Sequence, residues 1–333
     1  MIFNFTYTTV KAAISAINSE SATTEEKIQM LIELANGLQK KPKTAADLWS
    51  AVQLYEQAEE LCSQDYLLLK ARAKVGKATA LRSIPDDSSE FLVKAKIAYQ
   101  EALPTLQEIG SSVEVAELQM NLALVLQSLV QFNLAKIGDC IQLYNQALQV
   151  FTCEKYPQEY AILYNNIAIA YLSITGSKEK KAFSDGLAVQ TFETALKQIN
   201  LIEYPREYAM LQNNLGNALQ YLQSTHPIEN NLRAVTAYNE ALKVRNPQDT
   251  PLEYANTIAN KANALINLPD DLENPDLGNY KNLLQAKNYY QQAWVIFQEN
   301  QQLEQAQMVG QALQEITAEI LAISTLSGDE NYE

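Results

Sequence analysis

YPREYAMLQNNLGNALQYL, from Tyr204 to Leu222, is the stretch on which the fold turns. Pro205 falls at a first helical turn, where its missing N–H is no loss. Glu207 faces the unpaired N–H groups of the same turn. Tyr208, Leu211, Leu215, Ala218, Leu219 and Leu222 then recur at helical spacing. Two relatives lie elsewhere in the chain: YPQEYAILYNNIAIAYL from Tyr156 to Leu172, and TPLEYANTIANKANALINL from Thr250 to Leu268. A helix written several times is an architectural unit, so repeats take precedence over any single motif.

Laid on itself, the sequence yields two ladders. One helix type carries Ala, an aromatic four residues on, and Ala three further. It reads Ala51–Tyr55–Ala58, Ala95–Tyr99–Ala102, Cys140–Tyr144–Ala147, Ala188–Phe192–Ala195, Ala234–Tyr238–Ala241 and Ala286–Tyr290–Ala293. Positions i, i+4 and i+7 share one helix face, so two small residues admit a neighbouring helix while the ring fills the gap. The alternate helix type carries Ala35, Ala78, Ala123, Ala168, Gly216, Ala262 and Gly310. Three residues after each comes a large one: Leu38, Leu81, Leu126, Tyr171, Leu219, Leu265 and Leu313.

This grammar resembles the tetratricopeptide repeat, whose signature is Leu-Gly-x-x-Tyr on helix A and Ala-x-x-x-aromatic-x-x-Ala on helix B. Leu215, Gly216 and Leu219, followed by Ala234, Tyr238 and Ala241, carry the match. The period is about 45 residues where the standard unit has about 34. In that length, and in its P-x-x-x-A-x-x-x-N-N-L sequence, it is similar to the longer repeats of kinesin light chains and of cyanobacterial repeat proteins. The resemblance implies an all-α fold: a right-handed α-solenoid of about six helix pairs with a C-terminal capping helix. It covers residues 24–325, after an N-terminal segment and short helix in 1–23 and before a disordered tail, 326–333. The pairs are expected at 24–40 with 44–63, 66–83 with 89–108, 113–131 with 134–152, 157–174 with 184–200, 205–223 with 229–244, and 251–267 with 279–299. Long loops fall at 175–184 and 269–278, and Thr250 with Glu253 reads as a capping box.

Composition excludes several functions. A formal net charge of −14 argues against nucleic acid, which needs a basic stripe to neutralise phosphates. The longest basic cluster, Lys178, Lys180 and Lys181, reads as a solvated loop. No run approaches the roughly 18 apolar residues of a membrane span, and the start of the chain carries no signal-peptide pattern. Cys62, Cys140 and Cys153 lack metal-ligand spacing and an even count, as in a reduced, cytoplasmic chain. The acidic loop PDDLENPDLG lacks the spacing of a calcium loop. The single histidine, His226, sits in a short loop, and no phosphate loop or nucleophile motif occurs. No catalytic residue, metal or cofactor is expected.

Asparagine stands out. Asn121, Asn166, Asn214 and Asn260 each follow by five the alanine of a repeated motif; Asn165 and Asn213 precede two of them, and Asn217 and Asn263 lie near one turn further on. Asparagine inside a helix costs about half a kcal/mol relative to alanine. Two explanations remain open. The amides bond neighbouring helices and fix their stacking, or they line the groove and pair with the backbone of a bound peptide. The resemblance to kinesin light chain repeats implies the second. Asn165 and Asn213, about 100° further round the helix, are expected to be the more exposed. Tyr164 and Tyr221 are candidate groove walls, and Arg72, Arg82 and Arg206 candidate charge contacts. The functional expectation is a non-catalytic scaffold binding a peptide or partner helix. The alternatives are homo-oligomeric assembly through solenoid ends or the apolar segment Met1–Tyr7, and a regulatory subunit for an enzyme on another chain.

Overall fold

The computed structural model describes residues 11–12, 14–15, 17, 22–222 and 226–329. No strand occurs among them. The helices fall into two compact units, 1–152 and 153–333. The first unit holds α1 (Thr24–Lys40), α2 (Ala45–Leu61), α3 (Leu67–Ser83), α4 (Glu90–Ile109), α5 (Ser112–Leu129) and α6 (Ile137–Ala147). The second holds α7 (Pro157–Leu172), α8 (Lys178–Leu196), α9 (Pro205–Tyr221), α10 (Pro227–Ala241), α11 (Pro251–Ile266), α12 (Tyr280–Glu299) and α13 (Leu303–Asp329). The segment Met1–Tyr7 lies outside the described residues.

Each unit is a stack of helix pairs, and the ladders are its core. All eighteen residues of the Ala–aromatic–Ala ladder are buried, as are Ala35, Ala78, Ala123, Ala168, Gly216 and Ala262. Close approach between paired helices is why the residue opposite each ring is small. At Gly216 a β-carbon would sit 2.6 Å from the Tyr238 ring. The chain is thus an all-α array of tetratricopeptide-like helix pairs.

Burying a tyrosine ring leaves its hydroxyl to be satisfied, and the paired helix supplies the partner. Tyr55 donates to Asn36 Oδ1 at 2.7 Å and Gln39 Oε1 at 2.9 Å, and Tyr144 to Gln127 Oε1 at 2.9 Å. The Tyr99 hydroxyl lies 2.7 Å from that of Thr79. Tyr238 donates to Asn217 Oδ1 at 2.6 Å and accepts from Gln220 Nε2 at 2.6 Å; Tyr290 donates to Asn263 Oδ1. These partners stand one or four residues after the ladder's small residue. In the repeat with Phe192 the same positions hold Ile169 and Leu172. An aromatic without a hydroxyl meets helix positions without a polar group.

The turns between pairs repeat as well. Asn200 Oδ1 accepts from the backbone of Ile202 and Glu203, and Asn246 Oδ1 from Gln248 and Asp249. Both lead into helices with proline at the first position, whose preceding residues share one backbone conformation: Tyr204 at φ −133°, ψ 60° and Thr250 at φ −136°, ψ 56°. That conformation overturns the capping box at Thr250. Its hydroxyl turns back, accepting from the Asn246 N–H at 3.0 Å, and makes no bond to the helix it precedes.

Several helix boundaries differ from expectation, and three bear on the packing. The segment Lys178–Lys181 is the first turn of α8, capped by Ser177 Oγ, and the loop before it is correspondingly short. Lys181 is held there because its ammonium reaches Leu172 O at 2.9 Å, at the end of α7, and Asp185 Oδ1 at 2.5 Å; Asp185 is 1% exposed. The helix α13 continues through 326–329, since Ser327 and Gly328 lower helix propensity without breaking it. The third is α6, which ends at Ala147 in a succession of turns where the sequence suggests helix to 152.

Candidate functional site

In the second unit, α7, α9 and α11 carry an asparagine at the same position: Asn166, Asn214 and Asn260. The first two belong to a chain of four amides. Asn213 Nδ2 donates to Asn214 Oδ1 at 2.9 Å, Asn214 Nδ2 to Asn165 Oδ1 at 2.7 Å, and Asn165 Nδ2 to Asn166 Oδ1 at 3.3 Å. Such a chain fixes each amide's orientation and polarises it along one direction.

The exposure expected within the doublets is reversed. Asn165 and Asn213 are 8% and 7% exposed, whereas Asn166 and Asn214 are half-buried. A rotation of about 100° carries a side chain round to the next stacked helix rather than out to solvent, and there Asn214 of α9 meets Asn165 of α7. Asn213 Oδ1 is buried with no hydrogen-bond partner among the described residues.

Asn217 and Asn263 spend their oxygens on the core tyrosines Tyr238 and Tyr290, so the structure gives them a packing role. Burial raises the Tyr238 hydroxyl far above its usual range and the Tyr290 hydroxyl to about 12, keeping both as donors. Asn260 behaves differently. Its backbone carbonyl accepts from Gln220 Nε2 of α9 at 2.8 Å, but its side-chain amide has no protein partner among the described residues. With Asn256 and Asn263 it forms one wall of a cavity of about 230 Å³, closed on the other side by Tyr290 and Phe297 of α12 and by Met308 and Val309 of α13.

The remaining candidates are dispersed. Asn121 is half-buried on α5, in the first unit. The Tyr164 ring lies 4.5 Å from that of Tyr160, tilted by 41°, and is half-buried against the core of α7, α8 and α9. Tyr221 is 71% exposed at the last turn of α9. Arg72 pairs with Glu114 at 2.7 Å, and Arg82 sits beside the Tyr99 hydroxyl. Reading the sequence for doublets missed Asn256, which differs only in following the motif's alanine directly. It also missed Gln220, although Gln39 and Gln127 recur at its register.

Burial pushes the Cys140 thiol up to about 11 and raises Cys62 and Cys153 as well, away from the thiolate. No group of three or more His, Cys, Asp or Glu side chains arranged for a metal occurs among the described residues. The acids of the 269–278 loop are occupied locally: Asp270 accepts from the backbone of Lys281 and Asn282 at the start of α12, and Asp271 from Glu273 and Asn274.

One stretch, Ser112–Phe132, is long and apolar enough to cross a membrane by length and composition, with a mean hydropathy of 1.3, contrary to the sequence expectation. In the stack its Ala116, Leu118, Leu122, Ala123, Val125, Leu126 and Leu129 are buried, the pattern of a core helix.

No family model and no curated protein matches the chain. Several solved structures do. BtubC (BKLC) from P. vanneervenii is 18% identical with a TM-score of 0.49, over 74% of this chain and 91% of that one. A signal transduction ATPase (STAND) with a tetratricopeptide repeat sensor, from Pyrococcus horikoshii, is 14% identical with a TM-score of 0.49; the match covers 92% of this chain but only 47% of that protein. The TPR2AB domain of yeast Sti1, in complex with pHSP90, is 17% identical with a TM-score of 0.29, over 88% and 99% of the two chains.

Proposed function

We propose that this protein is a non-catalytic, cytoplasmic interaction scaffold that holds a peptide or partner helix on the face formed by α7, α9 and α11. The observation that carries this is the asparagine shared by the three helices. Its amides include an unbonded Asn260 and, at the end of the four-amide chain, an Asn166 whose Nδ2 has no acceptor among the described residues. A side-chain amide offers one face with both donor and acceptor, the complement of a peptide group's C=O and N–H. Because that pairing ignores the ligand's side chains, the same row suits an extended segment of varied sequence. A net charge of −14 weighs against a nucleic-acid ligand.

The test replaces Asn166 and Asn214 by alanine and compares retention of one defined partner with melting temperature. Lost retention with a preserved melting temperature supports binding. A lowered melting temperature with unchanged retention supports a purely stacking role.

A second reading, self-association, is favoured by α13, which leaves Leu303 and Leu321 70% and 65% exposed. Light scattering of the wild type beside Leu303→Gln/Leu321→Gln tests it: a mass that falls to that of one chain only in the variant supports it, and equal masses exclude it.

A further inference from the structure

Resting on the peptide-binding proposal above, we infer that the cavity between α11, α12 and α13 seats a single aliphatic side chain from an uncharged, extended stretch of the partner. Size is the first reason. At about 230 Å³ the cavity falls below the roughly 300 Å³ at which pockets begin to enclose a whole small molecule. It admits a side chain with its flanking peptide groups.

The second reason is the division of its walls. Asn256, Asn260 and Asn263 recur at i, i+4 and i+7 on α11 and present amides along one side. Asn256 and Asn260 have both donor and acceptor free among the described residues, and Asn263, its oxygen held by Tyr290, has a donor. Phe297, Met308 and Val309 make the opposite side apolar. A leucine-like side chain inserted against the apolar wall would leave its main chain beside the amides.

The third reason is charge. No charged residue lines this cavity. Two larger hollows in the first unit differ, one having Glu56, Lys77, Lys94 and Glu101 in its walls and the other Lys96, Lys136 and Asp139. A carboxylate or ammonium entering the α11–α13 cavity would shed water without meeting a counter-charge, a desolvation that nothing in the lining offsets. Acidic motifs, basic motifs and free C-terminal carboxylates are therefore excluded from this seat.

The experiment is selection of displayed twelve-residue random peptides, held at both ends by the display protein, on the full chain. Selected peptides are then titrated against variants that plug the cavity, Ala312→Phe and Met308→Trp. Met308 is 68% exposed, so its enlargement fills the cavity without entering the core. The expected result is a consensus with Leu, Ile or Met at one position, no Asp, Glu, Lys or Arg beside it, and at least a tenfold loss of affinity in either folded plug variant. Peptides with a charged consensus, or peptides that bind the plug variants as tightly as the wild type, overturn the inference. If such peptides still lose affinity for Asn166→Ala, the peptide-binding proposal stands and only the seat falls. A selection that enriches no peptide overturns both.

Discussion

Tyr238→Phe is the sharpest probe of how the pairs are held. The buried hydroxyl donates to Asn217 Oδ1 and accepts from Gln220 Nε2, both at 2.6 Å. Removing it deletes two hydrogen bonds, each worth about 1 kcal/mol net, and leaves the Asn217 oxygen short of a donor. Gln220 keeps the Asn260 carbonyl, so its penalty is small. The expected cost is about 2 kcal/mol. The chain supplies its own control, since the repeat built on Phe192 has Ile169 where Asn217 stands. The double variant Tyr238→Phe/Asn217→Ile should therefore cost less than the sum of the single changes, with a coupling of about 1 kcal/mol. Urea unfolding followed by Trp294 fluorescence in a Trp49→Phe background reads the second unit alone, because the chain has only those two tryptophans. A cost below about 0.5 kcal/mol for Tyr238→Phe, or strict additivity in the double variant, would refute the tyrosine–amide account of pairing.

Other expectations are independent of that one. Gly216→Ala should destabilise by about 1 kcal/mol in thermal melts, the 2.6 Å clash with Tyr238 outweighing the gain in helix propensity, whereas Gly186→Ala, with nothing within 4 Å, should stabilise by a similar amount. Lys181→Ala should cost about 2 kcal/mol in the same assay, because it strands the buried Asp185 carboxylate and frees Leu172 O. Arg72 beside Glu114 holds that carboxyl at about 2, below its ordinary 4.5. A depressed folded value stabilises above the unfolded value and is lost as pH falls toward the folded one. Glu114→Gln should thus lower stability at pH 7 by about 1 kcal/mol, a figure reduced for solvent screening of a part-exposed pair, and the difference should fade between about pH 4.5 and 2 in urea titrations.

The helix pairs were legible because their packing is written as a period. Tyr55, Tyr99, Tyr144, Phe192, Tyr238 and Tyr290 recur in register with their flanking small residues, and all are buried. What the period does not carry is which way a polar side chain turns. Asn213 reads as exposed on an isolated helix, but in the stack it is buried, and the helix angle alone does not show that. Lys181 looked solvated because its partner Asp185 is recognisable as buried only once α8 is placed. Nothing along the sequence says that the oxygens of Asn217 and Asn263 accept from the hydroxyls of Tyr238 and Tyr290, on the following helix. The ladder residues Gly310 and Leu313 show that α13 packs on α12, but the cavity beside Asn260 depends on the side chains that α11, α12 and α13 bring together, which the period does not carry.

Asn260 offers the cleanest separation of binding from packing, since its side chain makes no protein hydrogen bond among the described residues while it occupies the same helix position as Asn166 and Asn214. Isothermal titration of a display-selected peptide against Asn260→Ala, with the melting temperature measured alongside, is the decisive measurement. An amide that exists to hold a ligand predicts affinity reduced at least tenfold and a melting temperature unchanged or slightly raised by alanine's helix propensity. Unchanged affinity, or a lowered melting temperature as the sole effect, contradicts it.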